Sequence, residues 1–387
     1  MTTVFNRGSG NWNATGTWSP ALVPTEADNV VLNFFKSSDP NANYRVSLDG
    51  TGAALNLTVG NHDSLAIFNS GSPFGGTLSV EDALVITHGG TLSGIGEIFA
   101  HSVNNAGTIE GAEFFPLTIS SDTPMVNTGK LLADAGSLTV DGSLDNSGTV
   151  HASQDMTLGS VSNSGDVISS GFGARITIQG TLDNRGQVEA INDGSNILVR
   201  GAATNSGTVL AQGDFFTSKI EFSDSVTNSG EMQANRKGEL DFNAGVVNKS
   251  GGQLIDNGGT IKVDGTATGG AALIEGIGSD LVFDGSATAD TTMSVKFQGA
   301  GLFSLNHSAN YTGSVSGFAH GDSIDVTDVG FVSGIDSYNA AKDILTISDG
   351  THTAQIQLVG VYTANDFSFV NDGHGGTLIS WQGHTIV

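Results

Sequence analysis

The sequence predicts an all-β chain wound as a right-handed parallel β-helix, a β-solenoid with three short strands in each coil of about 20 residues. Three observations carry this. First, the phrase apolar-x-Asn-x-Gly-x-apolar returns through the middle of the chain, at Asn105, Asn127, Asn146, Asn163, Asn184, Asn205, Asn228 and, loosened, Asn248, with 17 to 23 residues between successive copies. Second, apolar residues between these copies come in pairs two apart, such as Leu138 and Val140, Ile176 and Ile178, or Leu240 and Phe242. That spacing is the strand period, which sends alternate side chains to the same face. Third, Gly and Asn interrupt every apolar run within a few residues, so no helix fits.

Within one unit, the apolar pair is followed by a turn, as in Val140-Asp-Gly-Ser-Leu144, and then by a further apolar residue two before the next Asn. Three strands and three corners result, and stacking such coils pairs each strand in parallel with its counterpart in the next. The Asn-x-Gly phrase is expected at a corner that needs positive φ, for which Asn and Gly are the commonest suppliers. Stacking would also place the eight Asn side chains above one another as an amide ladder.

In chain order, residues 1–98 read as a cap and the first irregular coils. Trp12 and Trp18 lie in a Gly, Asn and Pro-rich start. They are expected to close the exposed end of the core, with a sugar-stacking platform as the alternative. Strands follow at Tyr44 to Leu48, Leu55 to Val59, Leu65 to Ile67, Leu78 to Val80 and Leu84 to Ile86, with protruding loops at Asp39 to Asn43 and Asn69 to Gly76. Residues 99–268 are the regular repeats. In 269–387 the phrase stops while strand pairs persist, as in Leu281-Val-Phe283 and Met293 to Phe297, which reads as C-terminal coils or a cap.

Gly10-Asn-Trp12 with Trp18-Ser-Pro20, followed by Pro24 and Asp28-Asn-Val-Val31, resembles the opening of surface-exported bacterial β-solenoid proteins. The Asn-Ser-Gly-Thr-Val repeats are similar to those of filamentous-haemagglutinin-type adhesins. The last third, with Asp322-Ser-Ile-Asp325 and Asn371 to Trp381, resembles the C-terminal module of large proteins exported by type I secretion. These resemblances imply a secreted or surface-displayed adhesin, with a secretion signal in the C-terminal region.

The chain has 387 residues, 55 of them Gly and none Cys, and carries 39 acidic against 14 basic residues, a net charge of −25. Disulfides and thiol catalysis are excluded, and nucleic acid is a poor partner without a basic footprint. No apolar run is long enough for a membrane-spanning helix, and Met1 to Gly10 lacks the basic and apolar regions of a signal peptide. Either a leader has been removed or export takes another route.

The acidity is expected to solvate an extracellular surface, with calcium binding as the alternative. Asp322, Asp325 and Asp328 are the calcium candidates, although calcium wants six or more oxygens and no Gly-Gly-x-Gly-x-Asp repeat or EF-hand loop is present. No cofactor is otherwise expected. The nine histidines, His384 among them, have no zinc spacing.

A polysaccharide-active enzyme on this fold would need carboxylates and a base gathered on one face. No Asp-x-Asp or Asp-Asp pair occurs between Asn105 and Asp264, and Asp145 and Asp183 fall two coils apart. Looser candidates lie around Arg175 to Glu189, which includes Asp183 and Glu189, and around Asn235 to Asp241. The expectation is therefore a non-enzymatic structural or adhesive protein. As a stiff rod it would present polar faces and loops to a cell-surface glycan or protein, or to another copy of itself.

Overall fold

A computed structural model of the chain describes residues 1–33, 43–285 and 290–383, and the side chains of all of these except Glu113 and Phe114. The loop expected at Asp39 to Asn43 lies, but for Asn43, outside the described residues, as does His384. The protein is all-β, 59% strand, with parallel stacked coils forming a β-solenoid of about 13 turns of about 21 residues. It divides into two compact units, Met1–Gln187 and Val188–Val387.

Each regular coil contributes one strand to each of three columns. The first column follows the Asn-x-Gly phrase, the second carries the apolar pair, and the third ends on the Asn. In the first unit one coil reads Thr149–Ala152, then Asp155–Asn163, whose two halves serve the second and third columns. Asp166–Ser170, Arg175–Ile178 and Leu182–Asn184 form the next coil and stack on it in parallel. In the second unit Thr208–Gln212, Ser218–Phe222 and Val226–Asn228 stack in the same way under Glu231–Asn235, Gly238–Phe242 and Gly245–Asn248.

The inward positions are the apolar residues of the period-two pairs. Leu138, Val140, Ile176, Ile178, Ile220 and Leu240 are each no more than 1% exposed. Where large rings meet on successive coils they pack directly. Phe222 and Phe242 stack with centroids 5.3 Å apart and planes 7° apart. Phe283 and Phe303 meet edge to face at 5.3 Å.

Trp12 and Trp18 sit inside the first coil of the first unit. Both are 0% exposed, their rings are T-shaped with centroids 5.1 Å apart, and Trp18 Nε1 donates to the Trp12 carbonyl at 2.7 Å. Neither ring presents a face to solvent, so the sugar-stacking alternative has no platform here. The second unit ends differently from a plain coil. Ser323–Val326 pairs antiparallel with Thr377–Trp381, which pairs antiparallel with Phe367–Asn371. Ile344–Ser348 pairs antiparallel with Thr353–Val359. Tyr338, Tyr362, Phe367 and Trp381 form one aromatic cluster beside these hairpins.

Candidate functional site

The eight asparagines are buried, none more than 3% exposed. In the first unit Asn105, Asn127, Asn146, Asn163 and Asn184 stand in register on successive strands. Each Nδ2 donates to the next Oδ1, at 2.7, 2.7, 2.7 and 2.8 Å. In the second unit Asn205 donates to Asn228 at 2.8 Å and Asn228 to Asn248 at 2.7 Å. The amide's other hydrogen turns to the main chain, as from Asn146 to the Asp166 carbonyl at 3.1 Å. A primary amide has two donors and one acceptor oxygen, and this geometry uses both kinds.

The partner glycines do not behave as the corner argument expects. Neither the phrase's Asn residues nor Gly129, Gly148, Gly165, Gly186 and Gly230 have positive φ. Their need for glycine is steric. A Cβ on Gly148 would overlap the Gly129 carbonyl oxygen, and one on Gly230 that of Gly207. Glycine stacks on glycine so that the backbones of successive corners can close up.

Outward-facing chemistry gathers in the second column of the second unit. Lys219 stands opposite Glu239 and Glu221 opposite Asp241 on the next strand. Lys219 Nζ lies 2.7 Å from Asp241 Oδ2, 3.0 Å from Glu239 Oε1 and 3.6 Å from Glu221 Oε2. Asp241 is only 7% exposed. One coil on, Lys262 stands opposite Asp241 and holds Asp264 at 2.6 Å. Burial alone would lower the pKa of the Lys219 ammonium, but its bonds to Asp241 and Glu239 reverse this and hold it above its usual value. An ammonium kept protonated in this way is no proton acceptor at neutral pH.

This knot lies where sequence reasoning had only a loose candidate. A search for Asp pairs overlooks Glu239-Leu-Asp241. Reading any two acids at the strand period, opposite Lys219-Ile-Glu221 one repeat earlier, would have found it. The two acids singled out from the repeats stay apart. Asp145 and Asp183 have Ser162 in register between them, which separates their strands by about 9.6 Å. Asp183 pairs with the exposed Arg185 at 2.6 Å.

The three aspartates named for calcium each take a separate place. Asp322 is buried, accepts the Ala319 N–H at 2.7 Å, and is raised in pKa by that burial. Asp325 faces outward on its strand, and burial together with the charge of Asp372 pushes it up to about 6. Asp328 is exposed and accepts the Ser308 N–H at 2.9 Å. Among the described residues no group of three His, Cys, Asp or Glu side chains is placed to hold a metal ion.

The corner between the first and second columns is the variable one, and it carries exposed apolar tips. In the first unit these are Phe74, Phe115 and Phe172. In the second they are Phe215 and Phe216, followed three coils later by Ile277, with Phe215 82% and Ile277 89% exposed. The Phe215-Phe216 loop is built firmly. The Asp193 carboxylate accepts the N–H groups of Asp214, Phe215 and Phe216 at 2.8, 2.6 and 3.0 Å, and those bonds hold its pKa below the usual carboxylate value. The next corner carries Arg236 and Lys237, the only two consecutive basic residues in the sequence, with Arg236 3.2 Å from Asp214.

No known protein family, curated protein or solved structure matches the chain. No helix among the described residues is long and apolar enough to cross a membrane.

Proposed function

We propose that this chain is a non-enzymatic structural or adhesive protein, secreted or displayed at a cell surface, that works by presentation. The observation supporting it is the placing of Phe74, Phe115 and Phe172 in one unit, and Phe215, Phe216 and Ile277 in the other, on the same type of corner, all exposed and Phe115 the least so. Exposed apolar residues grouped on one feature mark interaction surfaces, and in repeat proteins the inserted loops commonly form the binding face. The coil supplies a fixed support, and many weak contacts add through multivalency. The partner is a cell-surface protein or glycan, or a second copy of the chain.

A polysaccharide-active enzyme stands second, favoured by the Lys219, Glu239 and Asp241 grouping, which combines acids with a basic residue. It ranks lower because the same bonds keep the lysine charged and occupy the carboxylates. The test compares the native chain with Phe172→Ser and with Phe215→Ser/Phe216→Ser. Retention on octyl-coated beads and on cultured cells should fall several-fold in the variants at unchanged thermal stability. Unchanged retention would remove the corner from the binding surface. Incubation with pectin, alginate and host glycans should release no unsaturated products or reducing ends, and turnover abolished by Asp241→Asn would promote the enzyme.

A further inference from the structure

In the first unit the corner between the first and second columns opens into a cavity of about 700 Å³, a size typical of small-molecule sites. Its floor is shallow in side chains because outward positions there are small. Ala66 and Ser93 stand opposite each other on neighbouring strands and both line the cavity. Phe68, Ile95 and Phe115 give its walls an apolar part, beside the polar Asn69, Ser70 and Ser72. At the rim Phe74 meets Phe115 edge-on, with centroids 5.7 Å and planes 64° apart. The loop that builds this wall is held in place, since the Asp49 carboxylate accepts the Ser70 N–H at 2.7 Å and its hydroxyl at 2.8 Å.

One charged side chain lines the same space. Arg45 is exposed and makes no ion pair with a described residue. In a chain with 39 acids for 14 bases, a guanidinium with no carboxylate partner among the described residues, beside this cavity, is placed to take one from a ligand. A guanidinium matches a carboxylate with two parallel hydrogen bonds, and phenylalanine rings favour edge and offset contacts with another ring. We propose that this cavity binds a small aromatic carboxylate, its ring among Phe68, Ile95 and Phe115 and its carboxylate on Arg45. The site does not depend on the adhesive reading.

The test titrates the full chain with 2-naphthoate and with its neutral isostere 2-naphthalenemethanol by calorimetry, and repeats both on Arg45→Gln, Arg45→Lys and Phe115→Ala. The native chain should bind the anion about tenfold or more tightly than the alcohol, the preference expected of a charge-assisted pair. Arg45→Gln should bring the two ligands to similar affinity, Arg45→Lys should keep part of the preference, and Phe115→Ala should weaken both by a similar factor. Absence of saturable naphthoate binding, equal affinities in the native chain, or a preference that survives Arg45→Gln would each overturn the proposal. A circular-dichroism melt of every variant distinguishes lost binding from lost folding, and Arg45→Lys carries the test should Arg45→Gln unfold.

Discussion

An asparagine inside the row does two things at once: its oxygen accepts from one neighbour while its nitrogen supplies another. Asn146 accepts from Asn127 and donates to Asn163, both at 2.7 Å, whereas Asn105 has Ile86 in register on its other side. Asn146→Ala therefore strands a buried donor and a buried acceptor and should cost roughly 1 to 3 kcal/mol in urea unfolding. Asn105→Ala strands fewer groups and should cost less, and equal, negligible losses at both positions would count against the row as a stabilising device. The same scale explains part of the acidity. Asp193, Asp349 and Asp372 each accept two or three backbone N–H groups at a turn, so these carboxylates build corners as well as solvating a surface.

For the strands, the question is how like charges tolerate stacking every 4.8 Å or so. In the second column Lys219 is placed between Glu221, Glu239 and Asp241, so one cation serves three anions on two coils. Lys219→Met leaves those carboxylates facing one another and should destabilise by roughly 1 to 3 kcal/mol. Lys219→Met combined with Asp241→Leu should recover much of the loss, because an apolar pair avoids the cost of an uncompensated charge. No recovery in the double variant would show that the knot acts through something other than charge.

Asp256, at 0% exposure on Gln253–Asn257, has the opposite problem. Burial pushes its carboxyl up to about 7, against a bond from the Gly259 N–H at 2.9 Å. A carboxyl whose pKa is raised on folding is no burden below its unfolded value near 4, and its penalty grows as pH rises from there to about 7. The native chain should therefore lose stability across that window. Asp256→Asn should flatten the profile, with a gain on the order of a few kcal/mol at pH 8 and little change at pH 3.5. A pH profile identical to the native one would mean that the carboxyl is not the source.

For the molecule as a whole, the absence of a metal-holding acid group among the described residues leads to a thermal expectation. Melting with chelator and with excess calcium should differ by no more than a few degrees, and collapse in chelator would direct attention to Asp322 and Asp325.

Much of the coil was legible in the sequence, because a period of two marks a strand and a recurring Asn marks where the next coil begins. What stayed hidden depended on neighbours across coils. The Lys219 knot requires knowing that Glu239 faces Lys219, and coils of unequal length blur that register. The role of Gly148 was misread because a glycine needed for close approach and one needed for positive φ look the same in a string of letters. The antiparallel pairing after Ser316 stayed hidden because period-two pairs such as Leu345 and Ile347, or Ile356 and Leu358, read alike in a hairpin and in a coil, and the burial of Trp12 and Trp18 could be judged only once the coil above them was in place.

The glycine row has a consequence for inheritance. At the corner after the Asn row, Gly129, Gly148, Gly165 and Gly186 each meet the carbonyl oxygen of the glycine one coil before, so successive coils there are seated through the same contact. A recombination event that deletes or duplicates one coil length would rejoin surfaces that already match. Genes encoding such a chain are thus free to lengthen or shorten by whole turns while the loops between them diverge on their own.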